Sequence, residues 1–374
     1  VSRNAPRFGW AYKTHEKIFQ GVLTLNREST LETERSLYNA LWANNKQITQ
    51  TSRRLDENDQ ESGQHFLHAE RYGVTPETLR QMEATKSNFK KQWPFLDSSP
   101  GSWFREFLAQ AETTVFNPLK LALSPQIQTN AKLTANALAR PSAAAGEPAQ
   151  ESEAPGNVFQ STLLAYNDLK TFFQRYQQRL NEGRRLTEEE RKVLLQTFTE
   201  NVARLEHFAS DANQPLHNTL FYQSRIPNDP KRRTSHQEFE TTGMIDKWDT
   251  ANTWLNALPR SVPNRDKKEM DDRDIPAFLA SKMYQAYQQF GMMAQLQDGI
   301  PRATYKNPDA YIEELTNRWL PIGEAQVTAA AVTVNRLILT AWETAGKPNL
   351  KQLCPQPSNR TTDSVCLSRA GRKR

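Results

Sequence analysis

Thr187 to His217 reads TEEERKVLLQTFTENVARLEHFASDANQPLH. Thr187 followed by Glu188, Glu189 and Glu190 has the form of a capping box. The threonine oxygen can take an N–H from the first helical turn, while a glutamate carboxylate reaches back to the threonine N–H. Leu194, Leu195, Phe198, Val202 and Leu205 then recur at three- and four-residue spacing, which lays them on one face of an α-helix. The stretch closes on H-x3-D-x5-H, formed by His207, Asp211 and His217. Residues four apart share a helix face, so His207 and Asp211 can point at the same metal ion. Pro215 should end or bend the helix and swing His217 to a different approach.

The same helical spacing recurs on both sides of this stretch. Leu163, Leu164, Leu169, Phe172, Phe173, Tyr176 and Leu180 predict one buried face, and further helical stretches run at about 275–296, 308–318 and 323–345. In the first of these, Met283, Tyr284, Tyr287, Phe290, Met292 and Met293 read as a core stripe. Alternating, strand-like segments are scarce, so the expected fold is all-α: a helical bundle. With 37% hydrophobic and 24% charged residues, 14 Gly and 21 Pro in 374 positions, collagen-like, wholly disordered and disulfide-dense classes are excluded. There is no run of about 18 apolar residues such as a membrane-spanning helix needs. The longest candidate, Ala329–Trp342, is broken by Asn335 and Arg336.

One segment differs in composition. Ala139 to Asn157, ARPSAAAGEPAQESEAPGN, has no large apolar side chain and cannot bury enough surface to offset its ordering entropy. It reads as a mobile loop or linker. Candidate site residues fall on both sides of it, which favours an insertion within one helical domain over 1–245, followed by a helical C-terminal extension over 246–374 packed on it. The polar tail from Pro355 ends in Arg-Lys-Arg and reads as a solvated end. Cys354 and Cys366 could close a 13-residue loop, worth about 3 kcal/mol on the chain-entropy account; two buried thiols fit equally. The chain opens at Val1 without a basic-then-apolar leader. That is the form expected of a secreted protein, extracellular or periplasmic, after its signal peptide is removed; a cloned fragment would look the same.

There are only six histidines. Nineteen residues after His217 comes His236 with Glu240 in HQEFE, a second i, i+4 pair. Three of the six thus lie beside carboxylates within 34 residues. Zinc favours imidazole nitrogen and carboxylate oxygen, and helical four-residue spacing supplies two such ligands at once. Upstream, His15 follows Trp10 in WAYKTH, and His65 and His68 lie in HFLHAERYG.

W-x4-H near the start, H-F in the middle, H-x3-D-x5-H with Q-P-L-H, and then H-x3-E together resemble the zinc-dependent phospholipase C and single-strand-specific nuclease superfamily, over about residues 10–240. The resemblance implies a mostly helical bundle with up to three zinc ions in a cleft. It implies that His65, His207 and Asp211 hold one ion, that His217, His236 and Glu240 hold a second, and that Trp10, His15 and Asp211 hold a third, with Asp211 bridging. The chain departs from the pattern twice. Nine residues precede Trp10, so its nitrogen is a peptide amide and a poor ligand. The family also has an aspartate about 12–15 residues before the middle histidine, where this chain has Gln50, Thr51, Ser52 and Arg53. The nearest aspartates are Asp56 and Asp59, and Asp56 is taken as ligand and catalytic residue; His68 could replace a missing ligand.

Clustered zinc lowers the pKa of bound water toward about 7 and neutralises phosphodiester oxygens. The resemblance therefore implies a zinc-dependent phosphodiesterase, with Asp56 orienting or deprotonating the attacking water. The two substrate classes are a phospholipid such as phosphatidylcholine at a membrane surface, and single-stranded nucleic acid. Glu240 in the last ligand position favours the phospholipid. The net charge of +6 suits either anion. Lys231, Arg232 and Arg233 could touch phosphate or form a solvated loop. A catalytically degenerate, metal-stabilised binding protein is the reading from another class. No obligate protein partner is inferred.

Overall fold

The computed structural model describes residues 12–26, 32–56, 65–66, 158–183, 185–219, 226–231, 234–241 and 253–354. Nine α-helices and no strand occur among them, so the fold is all-α. The helices are α1 (Tyr12–Asn26), α2 (Glu32–Ala43), α3 (Asn45–Asp56), α4 (Val158–Asn181), α5 (Glu188–Asp211), α6 (Ser235–Thr241), α7 (Thr253–Ser261), α8 (Ile275–Asp298) and α9 (Pro308–Thr344). The segment 139–157, the tail from Pro355 and Cys366 lie outside the described residues. Cys354 is buried against the core.

Helix α5 starts as its sequence dictates. The Thr187 hydroxyl accepts from Glu190 N at 3.2 Å, and Thr187 N donates to Glu190 Oε2 at 2.9 Å. Its apolar face packs on α4, where Leu163, Leu169, Phe172, Phe173 and Tyr176 are buried. Leu164 is not part of that face and is 48% exposed. Leu164 lies about 100° around the helix from Leu163, which at this end of α4 turns it toward solvent. In α8 Met283, Tyr287, Phe290 and Met293 are buried, but Met292 is 50% exposed for the same reason.

The stretches at 308–318 and 323–345 join into the single helix α9, which runs through Pro321. A mid-helix proline costs about 3 kcal/mol in isolation. Here Tyr311, Ile312, Leu315, Trp319, Ile322 and Val327 are buried along α9 on both sides of it, and that packing carries the helix through. From Val332 to Trp342 the helix is buried almost all round, which suits its near-continuous apolar sequence. It packs on α1, α4, α5 and α8. The buried amide of Asn335 accepts from Asn26 Nδ2 of α1 and donates to Lys267 O at 3.3 Å. No described helix is long and apolar enough to cross a membrane.

Helix α1 lies close to α7 and α9 because residue 21 is glycine. A Cβ there would sit 2.9 Å from Trp254 Cη2, 3.0 Å from Ala331 Cβ and 3.2 Å from Leu258 Cδ2. Alanine gains about 1 kcal/mol of helix preference over glycine, but overpacking a tight interface costs about 1–3 kcal/mol. Gly21→Ala should therefore lower the unfolding midpoint in thermal or chemical denaturation. Gly291→Ala in α8, where an added Cβ meets no atom within 4 Å, should raise stability by about 1 kcal/mol.

Candidate metal centre

The last two turns of α5 are buried from Leu205 to Asp211. This stretch carries Glu206, His207, Ser210 and Asp211 among Leu205, Phe208 and Ala209. Immediately after it the chain turns sharply. Asn213 Nδ2 donates to Ala209 O at 2.7 Å, and Asn218 Nδ2 donates to both Ala212 O (3.1 Å) and Gln214 O (2.9 Å). Pro215 opens a short 3-10 turn over Pro215–Asn218, capped by the Gln214 side chain. This turn delivers His217 from a different direction, as Pro215 predicts.

Three other elements converge on the end of α5. Helix α1 brings His15 from its first turn. The stretch His65–Phe66 is tied to the start of α4, since Val158 N donates to Phe66 O at 3.2 Å, and it brings His65. Helix α3 brings Ser52. All of these side chains are buried.

Asp211 stands in the middle, and its two oxygens face different partners. Oδ2 is 3.0 Å from His65 Nδ1 and 3.3 Å from His207 Nε2. Oδ1 is 3.6 Å from both His15 Nε2 and His217 Nδ1. His65 Nδ1 also lies 2.8 Å from His207 Nε2. The His15 and His207 rings stack with centroids 4.4 Å apart, and His236 approaches His217 with centroids 5.3 Å apart.

His15, His207 and Asp211 form a buried group whose donor atoms lie close enough to hold one metal ion. The donors suit a zinc-type cation: imidazole nitrogen with carboxylate oxygen. A tetrahedral ion with ligands at 2.0–2.1 Å sets its donor atoms about 3.4 Å apart. The 3.3 Å and 3.6 Å separations around Asp211 lie on either side of that value.

Of the residues singled out by sequence, the structure brings His15, His65, His207, Asp211 and His217 together, with His236 beside His217. Asp56 ends α3 one turn beyond Ser52, and Glu240 lies in α6, but the side chains of both fall outside the described set. Trp10, His68, Asp59, Arg232 and Arg233 lie outside the described residues. Lys231 is exposed.

Sequence reading missed two members of the cluster. The buried Glu206 carboxylate receives His15 Nδ1 at 3.1 Å, Ser52 Oγ at 2.6 Å and Ser210 Oγ at 3.1 Å. Ser52 Oγ also lies 3.3 Å from His207 Nδ1. The available signal was a lone carboxylate between Leu205 and Phe208, where a helix should be apolar.

Electrostatics follow from burial. Desolvation holds the His207 pKa well below its ordinary 6.5, and the neighbouring His15, His65 and His217 act in the same direction against the attraction of Asp211. Burial alone would raise the Asp211 carboxyl; His207, His217, His65 and His15 outweigh it and hold it below the ordinary carboxylate range. No family model, curated protein or solved structure matches the chain.

These directions fix a pH response. In the folded metal-free protein His207 stays neutral, while in the unfolded chain it takes up a proton below about 6.5. Below that pH the unfolded state binds more protons, so stability falls as pH falls. Asp211 opposes nothing in this window, because its stabilisation is present above its unfolded value of 3.8. Melting of chelator-treated protein should therefore drop between pH 7 and 5, with His207 contributing up to about 1.4 kcal/mol per pH unit. The His207→Gln variant should show a shallower slope.

Proposed function

We propose that this chain is a zinc-dependent phosphodiester hydrolase of the phospholipase C type, acting on glycerophospholipids such as phosphatidylcholine at a membrane surface. The observation that carries the reading is the division of Asp211 between two sets of histidines. A carboxylate in that position can serve two neighbouring cations at once, and clusters of cations suit phosphodiester chemistry.

On this reading His65, His207 and Asp211 hold one ion, and His15 with Asp211 holds another, to which the Trp10 carbonyl could add. His217 with His236, and Glu240 from the same helix as His236, hold a third. Bound zinc supplies two things here: a lowered pKa for water, toward about 7, and neutralisation of phosphate charge. The chain supplies the rest. Phe208 packs against the His65 and His207 rings, at centroid distances of 5.7 Å and 5.4 Å, and fixes two ligand rings in a low-dielectric wall where electrostatic attraction is strong. Asp56, one helical turn beyond Ser52 on α3, is the residue proposed to orient the attacking water. The choice of phospholipid rests on the HQEFE pair, His236 and Glu240, and on the resemblance it carries. Secretion, on the same resemblance, is the matching location.

Elemental analysis of the purified protein should give close to three zinc per chain, and fewer than two would sink the multinuclear centre. Phosphatidylcholine vesicles and single-stranded DNA, each with a chelator control, should give chelator-sensitive release of phosphocholine and little DNA cleavage. DNA cleavage without lipid turnover would replace the lipid with nucleic acid as substrate. His207→Ala and His217→Ala should each drop turnover to background, and a retained rate in either would contradict the ligand assignment.

A further inference from the structure

We infer that Glu206 is a positioning residue that sets the proton positions of two metal-facing histidines, His15 directly and His207 through Ser52. The inference deepens the metal-centre reading above and rests on it for its functional meaning.

With Glu206 ionised, its contacts with Ser52 and His15 fit one arrangement of protons. An ionised carboxylate only accepts, so the Ser52 hydroxyl donates its single proton to Glu206 Oε2 at 2.6 Å. With that proton committed, Ser52 Oγ can only accept from His207 Nδ1 at 3.3 Å, which places the ring proton of His207 on Nδ1. By the same rule His15 Nδ1, 3.1 Å from Glu206 Oε1, carries the ring proton of His15. Ser210 Oγ, also 3.1 Å from Oε1, donates a third bond. In each neutral ring the lone pair then sits on Nε2.

Both of those Nε2 atoms face Asp211, at 3.6 Å from His15 and 3.3 Å from His207. The His15 ring thus lies between two carboxylates, one at each nitrogen, and the His207 ring stacked on it lies between Asp211 and the Ser52 hydroxyl that leads to Glu206. Asp211 is itself a strong acceptor and, unopposed, would draw the ring protons to Nε2 and block ligation. Glu206 on the far side holds them on Nδ1. His65 fits the same pattern: its Nδ1 lies within reach of both His207 Nε2 and Asp211 Oδ2, so a proton there is shared between them until a cation displaces it. An outer carboxylate that orients a ligating histidine raises its basicity and fixes its ring, and loss of such a partner typically weakens metal binding about 10–100-fold.

Long-range proton–nitrogen correlation spectra of the metal-free, full-length protein test the proton positions without any metal. His15 and His207 should both appear as Nδ1–H tautomers. Ser52→Ala should disturb His207 and leave His15 unchanged, whereas Glu206→Gln should disturb both. Zinc titration then tests the consequence. Glu206→Gln should bind about 10–100-fold more weakly than the parent protein, Ser52→Ala less so, and the double variant should resemble Glu206→Gln alone because Ser52 acts through Glu206. Circular dichroism checks that Glu206→Gln folds; if it does not, Ser52→Ala carries the test through His207 alone. Nε2–H tautomers in the parent protein, or zinc affinity unchanged by Glu206→Gln, would overturn the assignment. A parent protein that binds no zinc but shows the Nδ1–H tautomers would overturn the metal reading and leave the proton assignment standing.

Discussion

A carboxylate wholly removed from water must be met by positive charge, by donors or by both, and the burial of Asp211 imposes that demand on the whole bundle. The chain sets four imidazoles around it from four places, with His65 Nδ1 at 3.0 Å placed to donate: His207 one turn earlier on the same helix, His217 from the turn that follows, His15 from α1 and His65 from a stretch tied to α4. Each answer fixes a piece of architecture. Helix α5 must be buried on all sides at its C-terminal end, α1 must cross it there, and the chain after Asp211 must double back within a few residues. The side-chain bonds of Asn213, Gln214 and Asn218 make that reversal.

Much of this was legible in local spacing. The Thr187–Glu190 cap, the apolar face of α5 and the shared face of His207 and Asp211 all follow from helical geometry, and Pro215 announces the turn that carries His217. Spacing could not choose between Leu163 and Leu164, or recognise that Met292 faces out, because neighbouring apolar residues look alike until the partner helix is in place. Nor could it show α9 continuing past Pro321, where burial of Trp319 and Ile322 outweighs a local preference.

The candidate site divides along the same line. His15 and His65 lie far from α5 in sequence, and only the family resemblance singled them out beforehand. Ser52 had no local signature, and Glu206 only that of a carboxylate between Leu205 and Phe208. Their contact depends on the register between α3 and α5, which no spacing within either helix encodes. In the window where the resemblance looks for an aspartate, α3 presents Ser52, and the carboxylate it touches comes from α5 instead.

The close approach at Gly21 ties the cluster to the far end of the chain. His15 lies on the same helix as Gly21, and that helix rests on Ala331 of α9 and on Trp254 and Leu258 of α7. Synthesis runs from the N-terminus, so α1 emerges long before the surface that holds it. A growing chain that already carries His15 thus still lacks the α7 and α9 surfaces on which the helix bearing it rests in the full fold.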